Sequence, residues 1–202
     1  MDDAIDDKVQ TIGDGAGPRY HRVYGIDLPV PFGSAVETMH KVMLDPNAFS
    51  PKLIATFEKT LGDPARLKVG DEFMVHISGP WNGPVRVSEV GECTFSLLTL
   101  NGHIEAGQIQ FRLVKKDDGS SRFEIESVTR SKDQLVNFVF DKLRVAQFAQ
   151  TEMWELFCKS VAEDAVGEKA EELKVEVRTE RQDPETLRWE DVSDQLGAKG
   201  LS

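Results

Sequence analysis

Between Lys132 and Gly167 the chain contains neither proline nor glycine. Leu135, Phe138, Val139, Leu143, Val145, Phe148, Met153, Trp154, Phe157 and Val161 recur there at spacings that lay a broad apolar stripe along a helix. At 1.5 Å per residue, such a helix runs roughly 40–50 Å. A break near Asp141 would give a short helix and then a long one. An apolar face of that size must be covered, and a sheet is the partner best able to cover it.

The preceding sequence supplies one. In VGDEFMVHISGPW, Phe73, Val75 and Ile77 alternate with Glu72, Met74 and His76. NGPVRVSEVG, CTFSLLTL and AGQIQFRLVKK follow as further strands. DDGS then marks a hairpin, because Asp-Gly tolerates the positive φ of a tight turn, and SRFEIESVT completes the pair. A first strand is expected far upstream, over Tyr20 to Leu28, with imperfect alternation. After PVPFGS, the spacing of Ala35, Val36, Met39, Val42 and Met43 predicts a helix. KLIATFEKTLGDP is expected as a second short helix, closed by Gly62 and Pro64. The order is strand, two helices, a run of strands and a long helix. It predicts an α+β fold in which a curved antiparallel sheet wraps the late helix. Residues 1–18 are expected as a disordered acidic terminus, 19–166 as the domain, and 167–202 as a polar acidic tail. Within that tail, LKVEVRTE suits either a strand or an extension of the helix.

The chain has 202 residues, of which 40% are hydrophobic, enough for one sizeable core without staples. Acidic residues number 35 against 24 basic, for a net charge of −11. That balance disfavours nucleic acid and anionic membrane surfaces as partners. No stretch is apolar enough to suggest insertion into a bilayer. The first residues do not resemble a signal peptide, and a cytoplasmic location is expected. Cys93 and Cys158 stand in strand-like and helix-like runs, as expected for buried thiols in a reducing compartment.

The segment from VGDEFMV to TEMWELF resembles DUF1990, a family known only as a domain of unknown function within the START-like, helix-grip or SRPBCC group. The resemblance rests on Pro84 and Arg86 of NGPVRV, and on Thr99, Leu100, Gly102, His103, Glu105, Gly107 and Phe111 of the TLNGHIEAG region. The TRS ending of the next strand and Gln147 of the late helix add to it. It covers about residues 66–162. The chain departs from the family in having Thr129, Arg130 and Ser131 where Ser-Arg-Pro is usual, and in an acidic ending to the late helix. The resemblance implies the helix-grip fold reached independently above. It hardly narrows the chemistry, since the wider group includes lipid carriers, hormone receptors, cyclases and dioxygenase subunits.

His103 and Glu105 are the weak catalytic candidates. Two apart in an extended chain, they would share a face, where a carboxylate can orient an imidazole for general-base work. They suit equally well the hydrogen bonding of a ligand or of a strand connection. Glu124 and Glu126 would also share a face, either solvated or lining a cavity with Arg112 as counter-charge. Arg130 is placed to clamp the late segment or meet an anionic ligand group. Trp81 suits an aromatic lid or a core cover, and Gln147 is a polar residue needing a partner if buried. These eight are the candidate ligand-binding residues. His21, His40 and His76 fall in no metal-binding spacing. No zinc, nucleotide or nucleophile-elbow motif occurs, so neither metal nor cofactor is expected.

Binding of a small hydrophobic or amphipathic molecule between sheet and helix is the expected function. The alternatives are a lyase, cyclase or hydrolase using His103 and Glu105, and a non-catalytic interaction module. Homodimerisation is left open.

Overall fold

The computed structural model describes residues 8–77, 82–133 and 144–196; of 144–149 and 195–196 it describes only the backbone. The alternating runs become strands β1 (Ala16–Leu28), β2 (Ala55–Leu61), β3 (Glu72–Ile77), β4 (Asn82–Val90), β5 (Thr94–Thr99), β6 (Glu105–Lys115) and β7 (Ser121–Ser131). β8 (Val175–Gln182) and β9 (Trp189–Asp191) follow late in the chain. Helix α1 (Phe32–Leu44) succeeds β1, and α2 (Arg144–Val166) is the long helix. All strands join one curved antiparallel sheet of nine, in the order β2-β3-β4-β5-β6-β7-β1-β8-β9. The β6–β7 turn is the DDGS hairpin. Gly119 adopts φ +84°, and Asp118 Oδ1 accepts from the Ser120 amide at 2.9 Å.

One sheet face collects the apolar half of each strand, including Ile26, Leu28, Phe73, Val75, Val85, Val87, Phe95, Leu97, Phe111, Phe123 and Ile125. Against it α2 lays Met153, Trp154, Phe157, Cys158, Val161 and Ala162, all buried. Phe95 and Phe111 stack at 4.6 Å between ring centroids. Phe157 reaches Phe111 at 5.7 Å, Trp154 at 5.9 Å, Phe49 at 6.1 Å and Phe123 at 6.3 Å. α1 is tied to α2 through Asp164, which accepts from Thr38 Oγ1 at 2.7 Å and Lys41 Nζ at 3.0 Å.

Three expectations need correction. Two helical elements do follow β1, but the second is the single 3-10 turn Pro46–Ala48. KLIATFEKTLGDP instead contributes β2, an edge strand paired with β3. Ala55 and Phe57 point inward, while Leu53 and Leu61 are 93% and 56% exposed, so the leucines of the supposed helical stripe are not core residues. The region past Gly167 is no loose tail up to Leu196. β8 pairs with β1 from Arg19 to Ile26 and buries Thr179, and Val192 beyond β9 is buried as well. Its outward charges alternate with inward residues, which makes a sheet strand read as polar sequence. Residues 8–18, expected as disordered, hold Val9 in a bridge to Leu100, a buried Gln10 and the start of β1. The suggested break near Asp141 lies outside the described residues. Both cysteines are free, and burial pushes the Cys158 thiol pKa far up.

Phe157→Ala is expected to cost about 3–5 kcal/mol, because it opens a void at the meeting point of five rings. Leu156→Ala, at a position 37% exposed, should cost less than about 1 kcal/mol. Urea unfolding of both variants checks the contrast.

Candidate functional site

The core face changes character toward the end of the sheet where β1 begins and β7 finishes. The inward row of β1 runs Tyr20, Arg22, Tyr24, Ile26, Leu28, so its charge and hydroxyls gather at one end. The register sets Ser127 opposite Arg22 and Thr129 opposite Tyr20. β6 adds Glu105 beside them. Two residues on, Gly107 faces Thr129 with φ +146°, and a Cβ there would run into the Val128 carbonyl. Only glycine lets β6 lie this close to β7 in that conformation.

Arg22 is 5% exposed. Its Nη1 donates to Thr129 Oγ1 at 3.2 Å and lies 3.6 Å from Glu105 Oε1. Thr129 Oγ1 donates to Glu105 Oε1 at 3.2 Å, and Gln150 Nε2 of α2 donates to Glu105 Oε2 at 2.9 Å. The guanidinium carbon sits 4.6 Å from the centre of the Tyr20 ring, a cation–π contact. Among the described residues no acceptor meets Arg22 Nε or Nη2. The Tyr24 hydroxyl is fully buried; the Thr151 side chain is near enough to act on it electrostatically as a hydrogen-bonding neighbour, but among the described residues no group meets it in good hydrogen-bond geometry. Burial pushes its pKa up, keeping the proton on the oxygen. Burial also raises the pKa of the nearby Glu155 carboxyl. A charge pair and a lone hydroxyl in a low-dielectric interior can grip a polar group of a small molecule.

His103 and Glu105 are neighbours but do not form the expected dyad. His103 Nδ1 lies 2.9 Å from the Glu105 amide and 3.0 Å from the Glu105 carbonyl, so this ring nitrogen is spent on the backbone of its own connection. Burial holds the imidazole pKa below the ordinary value. The ring packs on Gly83, where a Cβ would stand 2.6 Å from it. Gln10 Nε2 donates to the carbonyls of His103 at 3.2 Å and Glu105 at 2.8 Å, so the N-terminal segment braces the same connection. The Glu105 carboxylate faces the other way, into the cluster with Arg22.

Arg112, Glu124 and Glu126 are brought together, but on the outer face of the sheet rather than against the helix. Arg112 bonds both Glu124 at 2.8 Å and Glu126 at 2.7 Å, and Arg122 adds Glu124, Asp27 and Glu176. Arg130 is also turned outward. Its Nη2 donates to the Gly17 carbonyl at 2.8 Å, so it secures the start of β1. Trp81 lies outside the described residues, as does the side chain of Gln147, whose backbone belongs to α2. His76 bonds Glu58 at 2.7 Å at the surface. Among the described residues no set of three His, Cys, Asp or Glu side chains is arranged for a metal, and no helix is long and apolar enough to cross a membrane.

Arg22, Tyr24, Thr129, Gln150 and Thr151 escaped selection from sequence. The available signal was Arg22 itself, an arginine in the inward row of a strand ending in Ile26 and Leu28.

The model of a family described as a domain of unknown function, DUF1990, matches residues 33–155, well over half of the chain. The chain belongs to the DUF1990 family. The DUF1990 match takes in Glu105, Thr129 and Gln150 and begins after Arg22 and Tyr24. No curated protein matches this DUF1990 member in sequence. Among solved structures, norcoclaurine synthase from Thalictrum flavum is similar with a TM-score of 0.52 at 10% identity, over 76% of this chain and 91% of that one. Ara h 8.0201 gives 0.47 at 15% identity, over 73% of this chain and 98% of that one. A conserved protein from Geobacillus kaustophilus gives 0.48 at 10%, over 77% and 98%. At these identities the likeness concerns the START-like helix-grip fold of this DUF1990 protein.

His21, on the outer face, carries a pH dependence. Its Nε2 lies 2.7 Å from Glu126 of β7 and its Nδ1 2.9 Å from Glu180 of β8. Carboxylates only accept, so the two contacts together favour the imidazolium, in which both ring nitrogens donate. Partial burial opposes the charge, but the bonds to Glu180 and Glu126 outweigh it and raise the pKa. A raised folded pKa gives stability that is complete below the unfolded value of about 6.5 and is lost as pH rises through the folded value. Unfolding measured across that window should therefore show wild type losing its advantage over His21→Gln as pH rises. Parallel curves for the two proteins would contradict the assignment.

Proposed function

We propose that this protein binds a small amphipathic molecule at the polar end of the core face. The apolar part would lie along the sheet toward the aromatic core. The polar part would lie among Arg22, Tyr24, Glu105, Thr129 and Gln150. The observation that carries this is the buried Arg22–Glu105 pair beside the unpartnered Tyr24 hydroxyl.

Packing alone has little use for that arrangement. Desolvating an ion pair costs several kcal/mol, and apolar replacements of such pairs are often neutral or stabilising by about 1–4 kcal/mol. A buried hydroxyl left without a partner costs a further ~1–3 kcal/mol. Groups kept at such expense are best accounted for by something they hold. The fold is compatible with this use, since norcoclaurine synthase, by its name an enzyme, is built on it. The reading of His103 and Glu105 as a catalytic pair has less support, because the ring's Nδ1 is spent on the Glu105 backbone and the carboxylate bonds Thr129 and Gln150 instead.

The test uses the purified chain and N-phenyl-1-naphthylamine, a neutral apolar probe that fluoresces on burial. One saturable site is expected, together with any co-purified molecule seen by native mass spectrometry. Combining Arg22→Met with Glu105→Leu should leave unfolding stability within about 1 kcal/mol of wild type or above it, yet weaken an amphipathic competitor, 1-decanol, by more than about tenfold as read from its displacement of the probe. A wild-type protein that binds neither probe nor co-purified molecule would refute the proposal. So would a double variant that binds 1-decanol as well as wild type does.

A further inference from the structure

Resting on that binding site, we infer that the polar group it accepts is an uncharged oxygen acceptor, such as the carbonyl of a ketone, aldehyde or ester. The inference follows from which hydrogen-bonding groups of the cluster are already used. Glu105 has both oxygens engaged, Oε1 by Thr129 at 3.2 Å and Oε2 by Gln150 at 2.9 Å. The Thr129 hydroxyl accepts from Arg22 and donates to Glu105, so it has little left to offer. The buried group of the cluster left without a partner in hydrogen-bond geometry is the Tyr24 hydroxyl, whose proton burial retains, and among the described residues Arg22 Nε and Nη2 donate to no side chain. Both residues stand on β1 two positions apart, on one face of the sheet. A carbonyl oxygen has two lone pairs and can accept from both.

Charge excludes the alternatives. Arg22 is already balanced by Glu105 at 3.6 Å, so an added carboxylate or phosphate would find no net positive partner. It would also face Glu105 and Glu155, the two carboxyl groups whose charge acts on Tyr24. An ammonium group would meet the Arg22 guanidinium, which already balances the Glu105 charge. Burial favours the protonated phenol, so Tyr24 remains a donor well above neutral pH.

Matched ten-carbon probes separate these chemistries: 2-decanone, decanoate and decylammonium, each displacing N-phenyl-1-naphthylamine near pH 7. The ketone should bind at least about tenfold more tightly than either ion, and Tyr24→Phe should erase most of that margin. Thermal unfolding of Tyr24→Phe shows whether the variant is folded. A preference for decanoate or decylammonium would overturn the inference while leaving the site in place. So would equal binding of all three, or a ketone margin unchanged in folded Tyr24→Phe. Failure of N-phenyl-1-naphthylamine to bind wild type would remove the site and this inference together.

Discussion

Phe157 is where the long helix and the sheet become one body. Its ring meets Phe111 and Phe123 from neighbouring strands, Trp154 one turn back toward the helix start, and Phe49 from the connection after α1. Helix and sheet have incompatible repeats, 3.6 and 2, so few positions of one can stay in register with the other. Large rings solve this because each covers several neighbouring positions and tolerates tilted contacts. The stacked pair Phe95 and Phe111 provides the flat floor on which Trp154 and Phe157 rest. With that contact made, the direction of α2 is fixed, and Gln150, two turns before Phe157, arrives over Glu105.

The polar cluster therefore depends on the aromatic wedge for its geometry while contributing little to holding the fold. Glu105 is reached from three elements: β1 through Arg22, β7 through Thr129 and α2 through Gln150. Its backbone is braced independently by Gln10 and His103. A carboxylate held this firmly has lost its freedom before any ligand arrives, which is how a preorganised site lowers the cost of binding. The conspicuous motif residue His103 belongs to the bracing and not to the face that meets the interior.

The architecture was legible because its signals are periodic and additive over many residues. Five consecutive alternating runs and a helix-length stripe agree with each other whatever any one position does. The errors fall where a segment is short or its charges mask its period. In KLIATFEKTL, leucines at 53 and 61 mimic a helical face but end up exposed, one in the turn before an edge strand and one at that strand's end. In VEVRTERQ, the outward residues are so polar that a strand paired along eight positions of β1 reads as a tail. The site was only half legible. Glu105 could be picked from its motif, but its partners come from β1, β7 and α2, which no sequence spacing joins. Alternation puts Glu124 and Glu126 on one face within reach of Arg112 but does not say which face that is. Deciding it required knowing that Phe123 and Ile125 are the inward pair.

β1 shows how both faces constrain one register. His21 and Arg22 are adjacent in sequence and point to opposite sides of the sheet. Outside, His21 is bonded to carboxylates on both flanking strands; inside, Arg22 is bonded to Thr129 and paired with Glu105. A slip of one residue would exchange them, burying an imidazolium without its carboxylates and pulling the arginine out of the core. Hydrophobic alternation alone specifies this end of the strand poorly, because Tyr20 and Arg22 are not apolar anchors. The ion pairs on the two faces supply the specificity that the apolar row provides at Ile26 and Leu28. The charges proposed to meet a ligand's polar group thus also fix the strand that carries them, and strand β8 is seated by the outer member of the pair.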